Sequence, residues 1–251
     1  MNTVTVGDVV FGQGAPKIIV PIVGTSAAGI VDEGAALASA DCDLVEWRVD
    51  YYDQVSDAAG TARLARQLRT VVAKPVLVTF RTTGEGGVRE LPEPDYFALY
   101  DEVIAQRAAD LLDVELFREG EAVARTVAAA HAQGIAVVMS SHEFDSTPPA
   151  DEIVVRLRLM QDKGADILKI AVMPQSPRDV LTLLDATERM AREHARQPLI
   201  TMSMGALGVV SRVSGEVFGS CATFGSASQA SAPGQVPVGE LRSILGALRL
   251  G

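Results

Sequence analysis

Residues 167–172 read Ile-Leu-Lys-Ile-Ala-Val, an apolar run with one lysine, Lys169, inside it. A short run that is apolar at nearly every position is typical of a strand covered on both faces, as in the parallel sheets of α/β proteins. A charge inside such a strand has no easy route to water, so it must be paired or functional. The run therefore indicates both a fold class and a candidate site.

Similar short runs recur along the whole chain, and stretches rich in alanine and arginine with helical spacing lie between most of them. This order is typical of repeated βα units. The predicted strands are residues 18–23, 44–48, 76–81, 111–115, 136–141, 167–171, 199–203 and 222–224. Eight units favour a closed (β/α)8 barrel, or TIM barrel, over an open doubly wound sheet, which more often has five or six strands.

The two ends of the chain fit the same architecture. Residues 3–6 and 9–11 flank Gly7-Asp8, a two-residue hairpin signal, so we expect an N-terminal β-hairpin that covers the bottom of the barrel. The last predicted helix, residues 238–249, completes the eighth unit. Because nothing between these elements resembles a linker, the sequence predicts a single barrel domain over residues 1–251.

Composition excludes several classes of partner. The chain has 251 residues, of which 48% are hydrophobic and 22% charged, with a net charge of −10. The negative balance, without a dense basic patch, argues against nucleic acid or an anionic membrane as a partner. The N-terminus lacks the basic start and apolar run of a signal peptide, and no segment approaches membrane-spanning length.

The cysteines indicate a compartment. Cys42 and Cys221 stand alone, without metal-type spacing, and are too few for a disulfide framework. We expect both to be buried free thiols in a cytoplasmic protein.

Other charged residues lie at the ends of the predicted strands. Side chains alternate between the faces of a strand, so Glu46 and Arg48 point to one face and Val45 and Trp47 to the other, toward the helices. The remaining strand-end candidates are Arg81, Asp113, Glu115 and His142. Active sites of this fold are built at the carboxyl ends of the strands, which is where we expect these groups to meet.

Lys169 is the most informative of these residues. The chain has only four lysines, and the other three lie at the edges of predicted elements. Burial disfavours the ammonium form and so leaves an amine able to attack a carbonyl and form a Schiff base. The alternative is a structural lysine paired with Glu46 or Glu115.

His142 and Glu85 are the candidates for acid–base chemistry. Imidazole is well suited to take and return a proton near neutral pH, although a lone histidine is as readily a hydrogen-bonded core or loop residue. Glu85 lies in a glycine-rich loop after the third strand, from which its carboxylate could orient the imidazole; the alternative is a solvated turn. His131 and His194 fall in helical stretches, where we expect surface positions.

Motifs for metal and nucleotide chemistry are missing from the sequence. It contains no His-Glu-x-x-His, no Cys-x-x-Cys and no P-loop, so we expect neither a metal nor a cofactor. The loops at 204–208 and 224–228 occupy positions where many barrels bind phosphate, a signal of low specificity. From the residues alone, the prediction stops at a Schiff-base barrel enzyme that acts on a small carbonyl compound.

A set of motifs in this order resembles the type I 3-dehydroquinate dehydratases from end to end. The segments are GAPKI (14–18), EWRVD (46–50), TFR (79–81), EGG (85–87), DVEL (113–116), SSHEF (140–144), KIAVMP (169–174), SR (211–212), GEVFGS (215–220) and SAPGQ (231–235). They fall on the strand ends already selected from the fold, which makes the resemblance specific.

The resemblance implies a reaction and roles for residues. It implies that Lys169 condenses with the C3 ketone of 3-dehydroquinate, that His142 moves the protons, and that Glu85 orients His142. It also implies that Arg212 binds the substrate carboxylate. The further substrate-binding residues that it implies are Glu46, Arg48, Arg81, Ser231 and Gln235. A cofactor-free homodimer of the shikimate pathway of aromatic amino acid biosynthesis is implied as well.

Two other functions stay open at this point. A Schiff-base aldolase would need a phosphate pocket near Gly205 or Gly225, and a non-catalytic sensor would not need a buried amine beside a histidine. Some relatives carry a serine at Pro21 and a lysine at Gly205-Ala206, so no contact is carried over there.

The loop at 225–235 has no large apolar side chain to anchor it, which predicts a lid that closes on substrate.

Overall fold

The architecture is that of a computed structural model, which describes residues 2–227 and 232–250. The strands are β1 (Val4–Val6), β2 (Val9–Phe11), β3 (Lys17–Ile22), β4 (Leu44–Arg48), β5 (Val76–Thr79), β6 (Leu111–Glu115), β7 (Ala136–Glu143), β8 (Ile167–Val172), β9 (Leu199–Ser203), β10 (Ala222–Ser226) and β11 (Val236–Pro237). The α-helices are α1 (Ala27–Ala38), α2 (Ala58–Val72), α3 (Glu93–Ala105), α4 (Gly120–Ala132), α5 (Ala150–Asp162), α6 (Pro177–Glu193), α7 (Val209–Val213), α8 (Gly215–Phe218) and α9 (Val238–Ala247).

Strands β3 to β9 pair in chain order as parallel neighbours, and β10 pairs in parallel with β3. The backbone N–H of Cys221 donates to the carbonyl of Leu199 at 2.7 Å, which joins the start of β10 to the start of β9. The sheet therefore closes on itself, and the predicted (β/α)8 barrel is confirmed. The short β11, which the sequence pattern did not predict, lies beside β10.

The strand alternation separates two apolar layers. Val45 and Trp47 pack outward in the cluster between the sheet and the helices. Leu44 belongs to a second cluster inside the barrel, and Ile167 lies in that same cluster. Glu46 shares the face of Leu44 on β4, and Lys169 shares the face of Ile167 on β8, so both side chains project into the barrel.

The predicted hairpin is present. β1 pairs antiparallel with β2, and Gly7 between them has φ +56°, the left-handed conformation that a tight turn of this kind needs. Val6 and Phe11 belong to the same buried apolar cluster as Leu44 and Ile167, which lie at the amino-terminal ends of their strands. The hairpin thus closes the bottom of the barrel with apolar side chains.

Several predicted boundaries were wrong. The first strand spans Lys17–Ile22 instead of 18–23, and the third ends at Thr79 instead of 81. The third strand stops early because its last backbone N–H groups donate to side chains instead of to a neighbouring strand. Phe80 N–H donates to the Tyr100 hydroxyl, and Arg81 N–H donates to the Asp50 carboxylate. The strands predicted to end at 141, 171 and 224 extend to 143, 172 and 226, and the last helix ends at Ala247.

Cys42 and Cys221 are free, but only Cys42 is buried; Cys221 is partly exposed, contrary to expectation. Among the described residues, no helix is long and apolar enough to cross a membrane.

Phe11 allows a test of the hairpin's role in stability. Its side chain is 1% exposed, so Phe11→Ala should leave a cavity and lower the free energy of unfolding by about 3–5 kcal/mol, measured by urea denaturation. Phe117 is 60% exposed, so the same change there should cost less than about 1 kcal/mol. Equal losses in the two variants would show that the hairpin does not seal the core.

Candidate active site

A pocket opens at the carboxyl ends of the barrel strands and contains about 460 Å³ of empty space, part of it open to solvent. Its lining residues are Glu46, Arg48, Arg81, Glu85, Gly86, His142, Phe144, Lys169, Ala171, Met202, Met204, Arg212, Phe224, Ala232 and Gln235. The pocket therefore contains every predicted site residue except Ser231, which lies outside the described residues.

Lys169 lines this pocket and is 3% exposed. Its Nζ donates to Oδ2 of Asp113 at 2.8 Å and lies 3.7 Å from Oε1 of Glu46. The ring centroid of Phe224 is 4.7 Å from Nζ, within cation–π range. Of the two structural partners considered from sequence, Glu46 is near the amine, and Asp113 takes the place expected for Glu115.

Asp113 connects the amine to the rest of the site. While Oδ2 accepts from Lys169, Oδ1 accepts from Arg81 Nη2 at 2.7 Å and from Ser140 Oγ at 2.5 Å. Burial alone would raise the pKa of Asp113, but the positive charges of Arg81 and Lys169 outweigh it and lower this pKa below its usual range. The carboxylate is therefore ionised and has donors on both oxygens.

Arg81 carries the network onward to the loop after β5. Its Nη1 lies 3.1 Å from Oε1 of Glu115 and 3.3 Å from Oε2 of Glu85. Burial alone would lower the pKa of Arg81, but the charges of Asp113, Glu115 and Glu85 raise it. Glu115 also accepts from the backbone N–H and the hydroxyl of Thr82, both at 2.9 Å. The start of the loop is thereby fixed to β6.

The loop turns sharply so that Glu85 faces the pocket. A 3-10 helix spans Thr83–Glu85 and ends at Gly86, which has φ +82°. A Cβ at Gly86 would lie 2.1 Å from the ring of Phe144, so only glycine fits there. The glycine-rich loop in the sequence was the signal for this turn. The turn holds Glu85 in the pocket at the carboxyl ends of the strands instead of in solvent.

His142 and Glu85 form a close pair. Nδ1 of His142 lies 2.8 Å from Oε2 of Glu85. Burial, with the positive charges of Arg81 and Lys169, lowers the pKa of His142 well below its usual value. Burial also raises the pKa of Glu85 to about 8, against the opposing charge of Arg81. The two shifts share their largest cause, because burial disfavours the charged form of each group.

The protons of this pair decide what it can do. Two groups in such close contact titrate as a unit. While Glu85 holds its proton, its carboxyl group donates to Nδ1 of His142. When the pair loses one proton, Nε2 gives up its hydrogen and the proton of Glu85 moves to Nδ1. Nδ1–H then donates to the carboxylate, and Nε2 carries a lone pair that can accept a proton. The general-base form therefore appears as the pair is deprotonated.

Glu46 and Arg48 also line the pocket, as the strand alternation predicted. Arg48 binds Asp50 through two hydrogen bonds of 2.8 Å. Burial alone would lower the pKa of Arg48, but its hydrogen bonds to Asp50 raise it. Glu46 accepts from the hydroxyl of Thr79 at 2.9 Å. These side chains are pre-oriented, which limits the entropy lost when a ligand binds.

Arg212 differs from Arg48 and Arg81 because no carboxylate of residues 2–227 and 232–250 pairs with it. Its guanidinium is buried and donates to the carbonyl of Pro233 at 2.9 Å and toward Sδ of Met202 at 3.6 Å. Its Nε has no partner among the described atoms. Burial lowers the pKa of this guanidinium to about 10, so it stays charged at neutral pH. A buried cation with open donors is suited to an anionic ligand group.

Sequence reasoning missed parts of the site. Asp113 was identified as a strand-end charge but not as a member of the site, although the same rule that selected Lys169 applied to it. The apolar walls were also missed: Phe144, Ala171, Met202, Met204, Phe224 and Ala232. Apolar residues of this kind are too common in strands to be singled out.

The loop predicted as a lid, 225–235, includes residues 228–231, which lie outside the described residues; Ala232 and Gln235 line the pocket. His131 is exposed, and its Nε2 lies 2.8 Å from Oδ2 of Asp166, away from the pocket. Within the described part of the chain, no group of three His, Cys, Asp or Glu residues is arranged to hold a metal ion.

The fold and the pocket together define a (β/α)8-barrel protein with a buried amine beside a carboxylate-bound imidazole. A family model described as type I 3-dehydroquinase matches residues 18–250. A 3-dehydroquinate dehydratase from Enterococcus faecalis is 51% identical over 246 residues, which cover 98% of this chain and 97% of that protein. The chain therefore belongs to the type I 3-dehydroquinase family.

Solved structures agree with this assignment. The crystal structure of a type I 3-dehydroquinate dehydratase from Clostridium difficile, solved with covalently modified comenic acid, has a TM-score of 0.95 and 43% identity, with 98% of each chain covered. A 3-dehydroquinate dehydratase structure from Enterococcus faecalis has a TM-score of 0.93 and 46% identity, covering 98% of this chain and 99% of that one.

Glu85 provides a thermodynamic test of the site. Its pKa is raised from 4.5 to about 8, so across this window the folded chain keeps a proton that the unfolded chain has lost. Wild-type stability therefore falls as the pH rises from about 4.5 to about 8. Glu85→Gln cannot titrate, so its stability relative to wild type should increase through the same window, measured by urea unfolding at several pH values. A stability difference that is independent of pH would contradict the raised pKa.

Proposed function

We propose that this chain dehydrates 3-dehydroquinate to 3-dehydroshikimate and water, a hydro-lyase reaction, through an imine on Lys169. One observation carries the proposal: a single pocket contains the buried amine of Lys169 and the Glu85-bound imidazole of His142, on the adjacent strands β8 and β7. An amine that condenses with a ketone and an imidazole that moves a proton are the groups such a reaction needs. The relatives' names supply the substrate.

The first step joins the substrate to Lys169. The Lys169 ammonium gives up one proton, and the amine so formed attacks the C3 ketone. A C=N bond replaces the C=O bond, and the ketone oxygen leaves as water with that proton and one of the two remaining N–H protons. The protonated imine that forms keeps one N–H and the positive charge that the ammonium carried. It draws electrons from the adjacent carbon, which makes the C2 hydrogen acidic. The imine is thus the electron sink, and no cofactor is required.

The second step moves one proton from carbon to oxygen. Nε2 of His142 takes the C2 proton, and the electron pair of that bond forms an enamine with the imine carbon. The imidazolium then gives the proton to the C1 hydroxyl, which departs as water while the protonated imine is restored. Hydrolysis releases 3-dehydroshikimate. Glu85 fixes the ring of His142 through Nδ1, so that Nε2 faces the reacting atoms.

The substrate's polar groups have matching partners in the pocket. We assign its carboxylate to Arg212, the guanidinium that has no carboxylate partner among the described residues. Arg81 lines the pocket but already binds three carboxylates, so we assign it to holding the site together as well as to the ligand's surroundings. The groups assigned to the ring hydroxyls and the carboxylate's surroundings are Glu46, Arg48, Ser231 and Gln235.

The pathway, compartment and oligomeric state of the enzyme are proposed from its membership of the family alone. We assign it to the shikimate pathway of aromatic amino acid biosynthesis, as one barrel domain in a cytoplasmic homodimer. Size-exclusion chromatography with light scattering tests the dimer, for which a monomeric mass at working concentration would count against the assignment.

Lys169 is the direct test of the reaction. Incubation of the protein with 3-dehydroquinate and borohydride should reduce the imine and leave a stable adduct on Lys169, found by peptide mass analysis. The peptides of Lys17, Lys74 and Lys163 should stay unlabelled. Activity in Lys169→Ala, or an adduct on another lysine, would refute the mechanism.

His142→Ala serves as the matched control for this experiment. The variant keeps the amine, so borohydride should still label Lys169. Its turnover should fall by roughly 100-fold to 10,000-fold because the proton carrier is lost. Near-normal turnover would remove His142 from the proposed proton transfer.

Arg212 tests how the carboxylate is bound. Arg212→Gln removes the cation that the ligand's anion would meet in a buried place, so binding should weaken by about 2–5 kcal/mol, seen chiefly as a higher KM. Arg178→Gln makes the same change at an exposed arginine outside the pocket and should leave KM unaltered. An unchanged KM in Arg212→Gln would show that the carboxylate binds elsewhere.

A further inference from the structure

We propose that Asp113 is the counter-ion of the protonated imine on Lys169, and so a catalytic residue in its own right. The inference rests on the imine mechanism proposed above and adds a group to it. Among the described residues, its Oδ2 is the carboxylate oxygen that Lys169 Nζ binds most closely, at 2.8 Å. Asp113 is fully buried, so water does not compete for this contact.

The two oxygens of Asp113 have separate tasks. Oδ1 accepts from Arg81 at 2.7 Å and from Ser140 at 2.5 Å, and these two donors fix the orientation of the carboxylate. Oδ2 accepts from Lys169 Nζ at 2.8 Å. A carboxylate held at one oxygen and aimed at the reacting nitrogen with the other is pre-organised for charge that stays on that nitrogen.

Imine formation changes the number of N–H donors on Lys169 Nζ. The ammonium has three N–H donors, and condensation with a ketone releases water and leaves one N–H on a positively charged nitrogen. That single donor needs an acceptor in a place where the nitrogen is buried, and Oδ2 is already within hydrogen-bond distance. If the imine lost its proton, it would withdraw electrons far less, and the C2 hydrogen would not become acidic.

Other charges face the same nitrogen but are less well placed. Oε1 of Glu46 is 3.7 Å away and already accepts from Thr79. Glu115 binds Arg81 and Thr82 on the far side of Asp113. The charged and titratable groups around Lys169 and Asp113 are Glu46, Arg48, Arg81, Glu85, Glu115, His142 and Arg212. The ring of Phe224 adds a weaker attraction at 4.7 Å.

Glu115 offers a matched control for Asp113. Both are buried carboxylates on one face of β6, and both pair with Arg81, but of the two only Asp113 has a recorded contact with Lys169. A role in folding, or in neutralising Arg81, would affect Asp113→Asn and Glu115→Gln alike. A role as counter-ion affects the imine only in Asp113→Asn.

The experiment measures how the rate of imine reduction depends on pH. Cyanoborohydride reduces protonated imines far faster than neutral ones, so the labelling rate of Lys169 in saturating 3-dehydroshikimate reports the protonated fraction. In Asp113→Asn the rate should fall off at a lower pH than in wild type, because the imine loses a stabilising negative charge. Turnover should fall by roughly 100-fold or more. Glu115→Gln should keep the wild-type fall-off.

The outcomes separate this inference from the proposed function. No labelling of wild-type Lys169 would refute the imine mechanism itself. Labelling with the same pH fall-off in wild type and Asp113→Asn, or an equal shift in Glu115→Gln, would overturn the counter-ion role alone. If Asp113→Asn does not fold, wild type is compared with the imine of Nα-acetyl-lysine and the same product: a higher pH fall-off in the protein supports the role, and an equal one overturns it.

Discussion

The carboxylate of Asp113 binds Arg81 through one oxygen and Lys169 through the other, inside a barrel where neither cation can reach water easily. A buried charge without a partner lowers the stability of the fold. If one member of a buried pair is removed, the charge that remains is left without a partner and carries the same free-energy penalty. The cations and carboxylates of the mouth are therefore mutually dependent. Asp113 joins the amine to Arg81, and Arg81 joins it in turn to Glu85 and the imidazole of His142.

The apolar parts of the fold make this polar cluster possible. The hairpin β1–β2 and the inner layer of the barrel close the amino-terminal end, so the charged side chains are confined to the opposite end, where the strands finish. Glu115 and Asp50 then accept from backbone N–H groups of the loop after β5, which fixes the loop that carries Glu85. Packing thus sets where the polar groups lie, and their hydrogen bonds set how they are oriented.

Much of this arrangement could be predicted from the sequence, for physical reasons that differ between residues. The inward direction of Glu46 and Lys169 follows from the alternation along a strand, which is a local property. The pairing of Lys169 with Asp113 instead of Glu115 depends on the stagger of β6 relative to β8, two strands away, which no local pattern records. The end of β5 at Thr79 was likewise decided by side chains of Asp50 and Tyr100, distant in sequence.

We propose that one pocket aligns an imine on Lys169, the imidazole of His142 and the guanidinium of Arg212 around a single small ring. The most direct measurement is a crystal structure of the borohydride-reduced complex with 3-dehydroshikimate. We predict continuous density from Lys169 Nζ to the ring, the ligand carboxylate on Arg212, and Asp113 Oδ2 within hydrogen-bond distance of Nζ. A ring attached to Lys169 with its carboxylate away from Arg212 and its reacting carbon out of reach of His142 would contradict the account.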